Sequence, residues 1–142
     1  MTANHEYSRG DLFWGSNDIA YGSEQQGHRP YLIVSNNKNN NYNTLLTVVP
    51  LTTQEKKPLP THTIVYINGV PCTVLAEQLT CIRKIDVNKF IRQLTKEEMQ
   101  EVEKCIKIQI AIYEGEKQKQ PEKVKKQSFF AKIIAFFKKK AK

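Results

Sequence analysis

Glu24, His28 and Arg29 fall within one short stretch, Gly22-Ser-Glu-Gln-Gln-Gly-His-Arg-Pro30. These residue types supply anion binding by a guanidinium and proton transfer by a carboxylate or an imidazole. Two glycines alone can reverse a chain, so the ionisable and amide side chains of this loop exceed what a turn needs. Pro30 biases Arg29 toward extended geometry, which sets the guanidinium where the loop becomes the apolar run Tyr31-Leu-Ile-Val34. Held on a rigid element and facing solvent or a ligand, Arg29 is the first candidate functional residue. His28 precedes it on an extended chain and points to the opposite face. A second stretch, Leu51-Thr52-Thr53, places two hydroxyls at a strand end, with Lys56 and Lys57 in the solvated segment that follows.

Other ionisable residues suggest less. Cys72, Cys81 and Cys105 are widely spaced and form no C-x-x-C pair, so they read as buried or free thiols. His5, His28 and His62 are scattered and offer no metal-ligand spacing, so no metal or other cofactor is expected. The chain has 142 residues and a formal charge of +8. Residues 1–115 carry 12 basic and 12 acidic side chains, whereas 116–142 carry 10 lysines and 2 glutamates. The basic character therefore belongs to the tail, and only the tail attracts the inference of an anionic partner. Thr2 to Gly10 is polar and does not resemble a signal peptide. No apolar run approaches the ~20 residues of a membrane span, so the chain reads as cytoplasmic.

The elements that must position these groups are mostly short strands. Leu12-Phe-Trp14 is aromatic and fits a first strand. Tyr31 to Ser35 is continuously apolar and reads as a strand buried on both faces. The run Asn36-Asn-Lys-Asn-Asn-Asn-Tyr-Asn43 is low in complexity and reads as a mobile surface loop. Thr44 to Val49 is strand-like, with Pro50 expected to end it or mark an edge. His62 to Ile67 alternates, and Asn68-Gly69 signals a hairpin into Cys72 to Ala76. A short helical turn is expected around Val87 to Leu94. Thr95 and Glu98 form a capping box ahead of Met99, Val102, Ile106, Ile110 and Tyr113 at helical spacing. The predicted helix runs about 18 residues until Gly115. Strands without an intervening long helix favour a small barrel or sandwich. The organisation is a barrel domain over 1–115, a charged linker over 116–127 and a tail over 128–142. In the tail, Phe129, Phe130, Ile133, Ile134, Phe136 and Phe137 fall within roughly 160° of arc when wound as a helix. It reads as a basic amphipathic helix suited to an anionic membrane surface or a groove on a partner.

Five segments in order carry a resemblance: Arg9-Gly-Asp-Leu-Phe-Trp14, Gly22 to Pro30, Val48-Val-Pro-Leu-Thr-Thr-Gln54, Leu59-Pro-Thr-His62 and Val74-Leu-Ala-Glu-Gln78. Over roughly residues 8–113 the chain resembles the MazF/PemK/Kid family of toxin endoribonucleases. The resemblance implies an SH3-like β-barrel closed by a C-terminal helix, a homodimer, and a cognate antitoxin that covers the RNA-binding surface. It also implies metal-independent cleavage of single-stranded RNA by attack of the ribose 2′-OH, leaving a 2′,3′-cyclic phosphate and a 5′-OH. By position, Arg29 matches the family's catalytic arginine and Thr52 its catalytic threonine.

A planar guanidinium can donate paired hydrogen bonds to a phosphorane-like transition state, whereas a threonine hydroxyl is too weak a base to act alone. Glu24 and His28 are the nearby candidates for proton transfer. Ser23, Gln25, Thr53, Lys56, Lys57 and Gln78 are the candidate RNA contacts, and Glu77 beside Gln78 reads equally as a contact or as a structural residue. After Gln78 the chain reads Leu79-Thr-Cys-Ile-Arg83 where many members have Ile-Arg-Thr-Ile-Asp, so contacts are carried over no further. Related folds poison a protein such as DNA gyrase instead of cutting RNA, and this is the alternative function. The tail lies outside the family pattern; its readings are a membrane anchor, a docking helix for a partner or antitoxin, and an auxiliary RNA-binding arm.

Overall fold

The structure, a computed structural model, describes residues 6–16 and 28–113. The first strand, β1 (Asp11–Ser16), sends successive side chains to two different apolar clusters. Leu12 joins Leu32, Val49, Leu51, Val65, Val74 and Val102, whereas Phe13 joins Tyr31, Ile33, Leu46, Val48 and Ile82. Strand alternation requires this division. It also explains why β2 (His28–Ile33) and β3 (Leu45–Thr52) are nearly continuous apolar runs: both of their faces are buried.

The remaining strands are β4 (His62–Ile67), β5 (Val70–Leu75), β6 (Thr80–Arg83) and β7 (Val87–Gln93). They form one curled sheet in the order β4-β5-β3-β2-β1-β7, with β6 also paired to β3, and every pairing is antiparallel. The hairpin between β4 and β5 turns on Asn68 (φ 50) and Gly69 (φ 80), both in the left-handed region that a type I′ turn requires. The Arg92 guanidinium of β7 donates to the Tyr66 carbonyl of β4 at 3.0 and 3.1 Å, linking the two terminal strands of the sheet. Helix α2 (Lys96–Gln109) buries Met99 and Val102 in the cluster that holds Leu12. Compactness separates Met1–Ala111 from Ile112–Lys142, and all of these elements lie in the first unit.

The mainly β architecture with a closing helix and the capping box at Thr95 and Glu98 are as expected. Four local expectations change. The asparagine run is a helix, α1 (Asn37–Tyr42), because Asn36 caps it by accepting from the Asn39 amide at 2.8 Å. The buried Asn40 amide in turn donates to the Ser35 carbonyl at 2.9 Å. Pro50 does not end β3, which continues to Thr52. It lies between the β6 pairing of Leu45–Val48 and the β5 pairing of Leu51–Thr52, opposite the 3-10 turn Ala76–Gln78, where the ladder is already interrupted.

Residues Val87–Gln93 are strand, not helical turn. Irregularities in the pairing with β1 blur the two-residue period, and Phe90 packs edge-on against Phe13 with 5.3 Å between ring centroids. Finally, α2 stops at Gln109, short of Gly115. Its burial ends at Cys105, so Ile108 and Ile110 have no core to face, and Ala111 turns into the left-handed region (φ 60).

Candidate active site

Arg29 is the second residue of β2, half-buried and directly opposite Gly15 of β1. The next residue, Pro30, is buried opposite Trp14, so the strand beneath the guanidinium is fixed. Among the described residues the Arg29 side chain makes no hydrogen bond or ion pair, which leaves its donors available. Thr52 ends β3 and is half-buried. Its Oγ1 accepts from the Gln54 amide at 3.1 Å, so the hydroxyl proton is free to be donated outward.

The two residues approach through strand register. Strands β2 and β3 pair Ile33 with Val48, Leu32 with Val49 and Tyr31 with Pro50. Continuing that antiparallel count two residues past its last pair aligns Arg29 with Thr52, at the point where the β2 ladder has ended and β3 pairs with β5 along its other edge. Period-two alternation also puts both on the face that carries Tyr31 and Val48. Gly15 is required beside them: a Cβ there would stand 2.8 Å from Tyr31 Cδ2 and 2.9 Å from Ile82 Cδ1. Gly15→Ala is expected to destabilise by about 1–3 kcal/mol through overpacking, read as a lower urea midpoint at unchanged slope.

His28 lies opposite Ser16 and is exposed. Its Nδ1 accepts from the Asn88 side-chain amide at 3.2 Å, and the same amide donates to Ser16 Oγ at 3.2 Å. A neutral ring held this way keeps its proton on Nε2, and strand alternation sets it on the face away from Arg29. Thr53, Lys56 and Lys57 are exposed on the loop that leaves Thr52. Gln78 is exposed at the end of the 3-10 turn, on the edge of β3 opposite β2, so it stands across that strand from Arg29. Ser23, Glu24 and Gln25 lie outside the described residues, as does the tail from Phe129 to Lys142. Among the described residues, no group of three or more His, Cys, Asp or Glu side chains is placed to hold a metal ion, and no helix is long and apolar enough to cross a membrane.

One polar cluster was not expected from the sequence. His62 Nε2 lies 2.7 Å from Glu77 Oε2, His62 Nδ1 lies 3.1 Å from the Lys57 carbonyl, and Thr61 Oγ1 donates to Glu77 Oε1 at 3.2 Å. Burial works against the Glu77 charge, but the bonds from His62, its own backbone amide and Thr61, with the His62 charge, hold the carboxyl below its ordinary range. The hairpin contained a signal for it. Counting outward from Asn68-Gly69 pairs His62 with Leu75, which leaves Glu77 beyond the strand end within reach of the ring.

Residues 8–110 match the family model described as PemK-like, MazF-like toxin of type II toxin-antitoxin system. Endoribonuclease EndoA of Bacillus subtilis (strain 168) is 31% identical over 109 residues, spanning 73% of this chain and 94% of that protein. Endoribonuclease MazF of Staphylococcus saprophyticus is 28% identical over 110 residues, spanning 74% and 92%. Among solved structures, a mycobacterial endoribonuclease in complex with its cognate antitoxin superposes with a TM-score of 0.65 at 21% identity, covering 77% of this chain and 99% of that one. A MazE-MazF crystal form from Deinococcus radiodurans gives 0.65 at 21% identity, covering 78% and 100%.

Proposed function

The chain belongs to the PemK-like, MazF-like toxin family of type II toxin-antitoxin systems, and we propose that it is an endoribonuclease toxin that cuts single-stranded RNA with Arg29 and Thr52. The observation that supports this reading is the β2–β3 register: counted two residues past its last pair, Tyr31 with Pro50, it aligns Arg29, which has no side-chain partner among the described residues, with Thr52, whose Oγ1 already accepts from the Gln54 amide. Such a pair suits a phosphodiester. The 2′-oxygen attacks the adjacent phosphorus, the bond from phosphorus to the 5′-oxygen breaks, and the products are a 2′,3′-cyclic phosphate and a 5′-OH. Arg29 binds the nonbridging oxygens as their charge grows, and Thr52 Oγ donates to the phosphate and fixes its position. The 2′-OH proton goes to a separate base and the 5′-oxygen takes up a proton. Glu24 is the carboxylate we assign to this exchange, since His28 is engaged by Asn88.

In this reading Thr53, Lys56, Lys57, Gln78, Ser23 and Gln25 contact the RNA. The toxin acts in the cytoplasm as a homodimer, and a cognate antitoxin covers the same surface. The test is incubation of the purified protein with a long single-stranded RNA in EDTA. Discrete fragments with cyclic phosphate ends, lost in both Arg29→Ala and Thr52→Ala, are expected. Intact RNA together with inhibition of DNA gyrase would overturn the nuclease reading in favour of a protein target.

We assign the tail to an anionic membrane surface, because its sequence, if wound as a helix, would gather the apolar side chains on a wide arc flanked by lysines. The full chain is expected to float with anionic liposomes, and a chain lacking residues 117–142 to remain at the bottom of the gradient. Equal behaviour of the two discards the anchor.

A further inference from the structure

Both ring nitrogens of His62 face acceptors. Nε2 meets the Glu77 carboxylate at 2.7 Å and Nδ1 meets the Lys57 carbonyl at 3.1 Å. A neutral imidazole carries one N–H and can satisfy one of them; only the imidazolium donates to both. The side chain is 7% exposed, so a bond lost here is poorly replaced by water. Lys57 belongs to the segment that begins at Thr52 and returns at His62. That segment is tied at its start by the Gln54 amide on Thr52 Oγ1 and at its end by the His62 amide on the Leu59 carbonyl, 2.9 Å. The ring is the tie in the middle.

We propose that Glu77 and His62 are positioning residues: as a carboxylate–imidazolium pair they grip the Lys57 carbonyl and hold the loop carrying Lys56 and Lys57 in place beside Thr52. This rests on the nuclease reading for its consequence, since a held loop presents its lysines to RNA phosphates at lower entropic cost. When His62 loses its second proton, the remaining N–H stays with the carboxylate, the stronger acceptor. Nδ1 then turns a lone pair toward the Lys57 carbonyl, and the loop is released. The other titratable groups near the pair come from α2, which packs on β4 and on the turn holding Glu77. They are Cys105, whose thiol is pushed up by burial and then by the charges of Glu101 and Glu77, and Glu101, which pairs with Lys104 at 3.1 Å. Leu75, opposite His62, has no charge.

Three measurements on the full chain test the grip. The ¹⁵N shifts of the His62 ring are expected to report two protonated nitrogens while the loop is held. His62→Phe, which removes both ring donors, is expected to speed tryptic cleavage of the Lys56–Lys57 bond at fixed pH. On a short single-stranded RNA, wild-type KM is expected to rise about tenfold as His62 deprotonates, the scale of one charge-assisted bond, with kcat within about twofold. In Glu77→Gln that pH dependence of KM disappears. Equal tryptic rates in wild type and His62→Phe, or a wild-type KM that does not move with pH, would overturn the proposal. Failure of the protein to cleave RNA at any pH would sink the nuclease reading alone, because the ring shifts and the proteolysis still report on the loop. The wild-type titration needs no variant, so poor folding of either variant leaves a decisive measurement in hand.

Discussion

Arg29→Ala is expected to cut single-turnover RNA cleavage by about 100-fold or more, the scale of removing one preorganised donor from a developing oxyanion. The same variant is expected to unfold in urea within about 0.5 kcal/mol of wild type. These two expectations come from one feature. Among the described residues the guanidinium has no protein partner, and the strand beneath it is secured by Pro30 and by pairing to β1. Losing the side chain therefore removes chemistry and leaves the fold. Arg29→Lys sharpens the test, because an ammonium keeps the charge but cannot supply two parallel donors to a planar pair of oxygens. It is expected to fall between wild type and alanine. Activity of Arg29→Ala within tenfold of wild type would remove Arg29 from the mechanism.

The parts of this molecule that were legible in the sequence are those in which a local signal has a local cause. Asn68-Gly69 declares its turn because only certain residues adopt two successive positive φ values easily. Thr95 and Glu98 declare a helix start because each satisfies the other's backbone amide. The place of Arg29 at the start of β2 was legible because Pro30 sets its geometry. What was not legible depends on partners distant in the chain. Strand β7 exists because β1 offers it an edge and Phe13 a ring to pack on. Similarly, α2 ends where the core ends, although apolar residues continue at helical spacing through Tyr113. The Glu77–His62 pair falls between these cases, since the residues are far apart in sequence but the hairpin register joins them.

Arg92 carries the second large effect, on stability. Its guanidinium holds the Tyr66 carbonyl of β4 and, through Nη1 and Nη2, the Glu98 carboxylate at 3.0 and 2.7 Å. Glu98 also accepts from the Thr95 amide at 2.9 Å, so one side chain ties both ends of the curled sheet to the start of α2. The pair is 32% and 25% exposed, between the buried case, where breaking a pair costs about 3–5 kcal/mol, and the surface case near 0–1 kcal/mol. Arg92→Ala is accordingly expected to lose about 2–3 kcal/mol. The pH signature is specific. Hydrogen bonds from Arg92 outweigh burial, and with the Thr95 amide and the Arg92 charge they lower the Glu98 carboxyl from 4.5 to about 2. A carboxyl lowered in the folded state stabilises above its unfolded value and loses that contribution as pH falls through the folded one. Glu98→Gln keeps a competent capping box but removes the charge. The gap in urea midpoint between wild type and Glu98→Gln is therefore expected to be constant above about pH 5 and to close progressively between 4.5 and 2. A gap that stays constant through that window would show that the carboxylate's charge contributes nothing to the tie, and that its hydrogen-bonding shape alone holds the sheet to the helix.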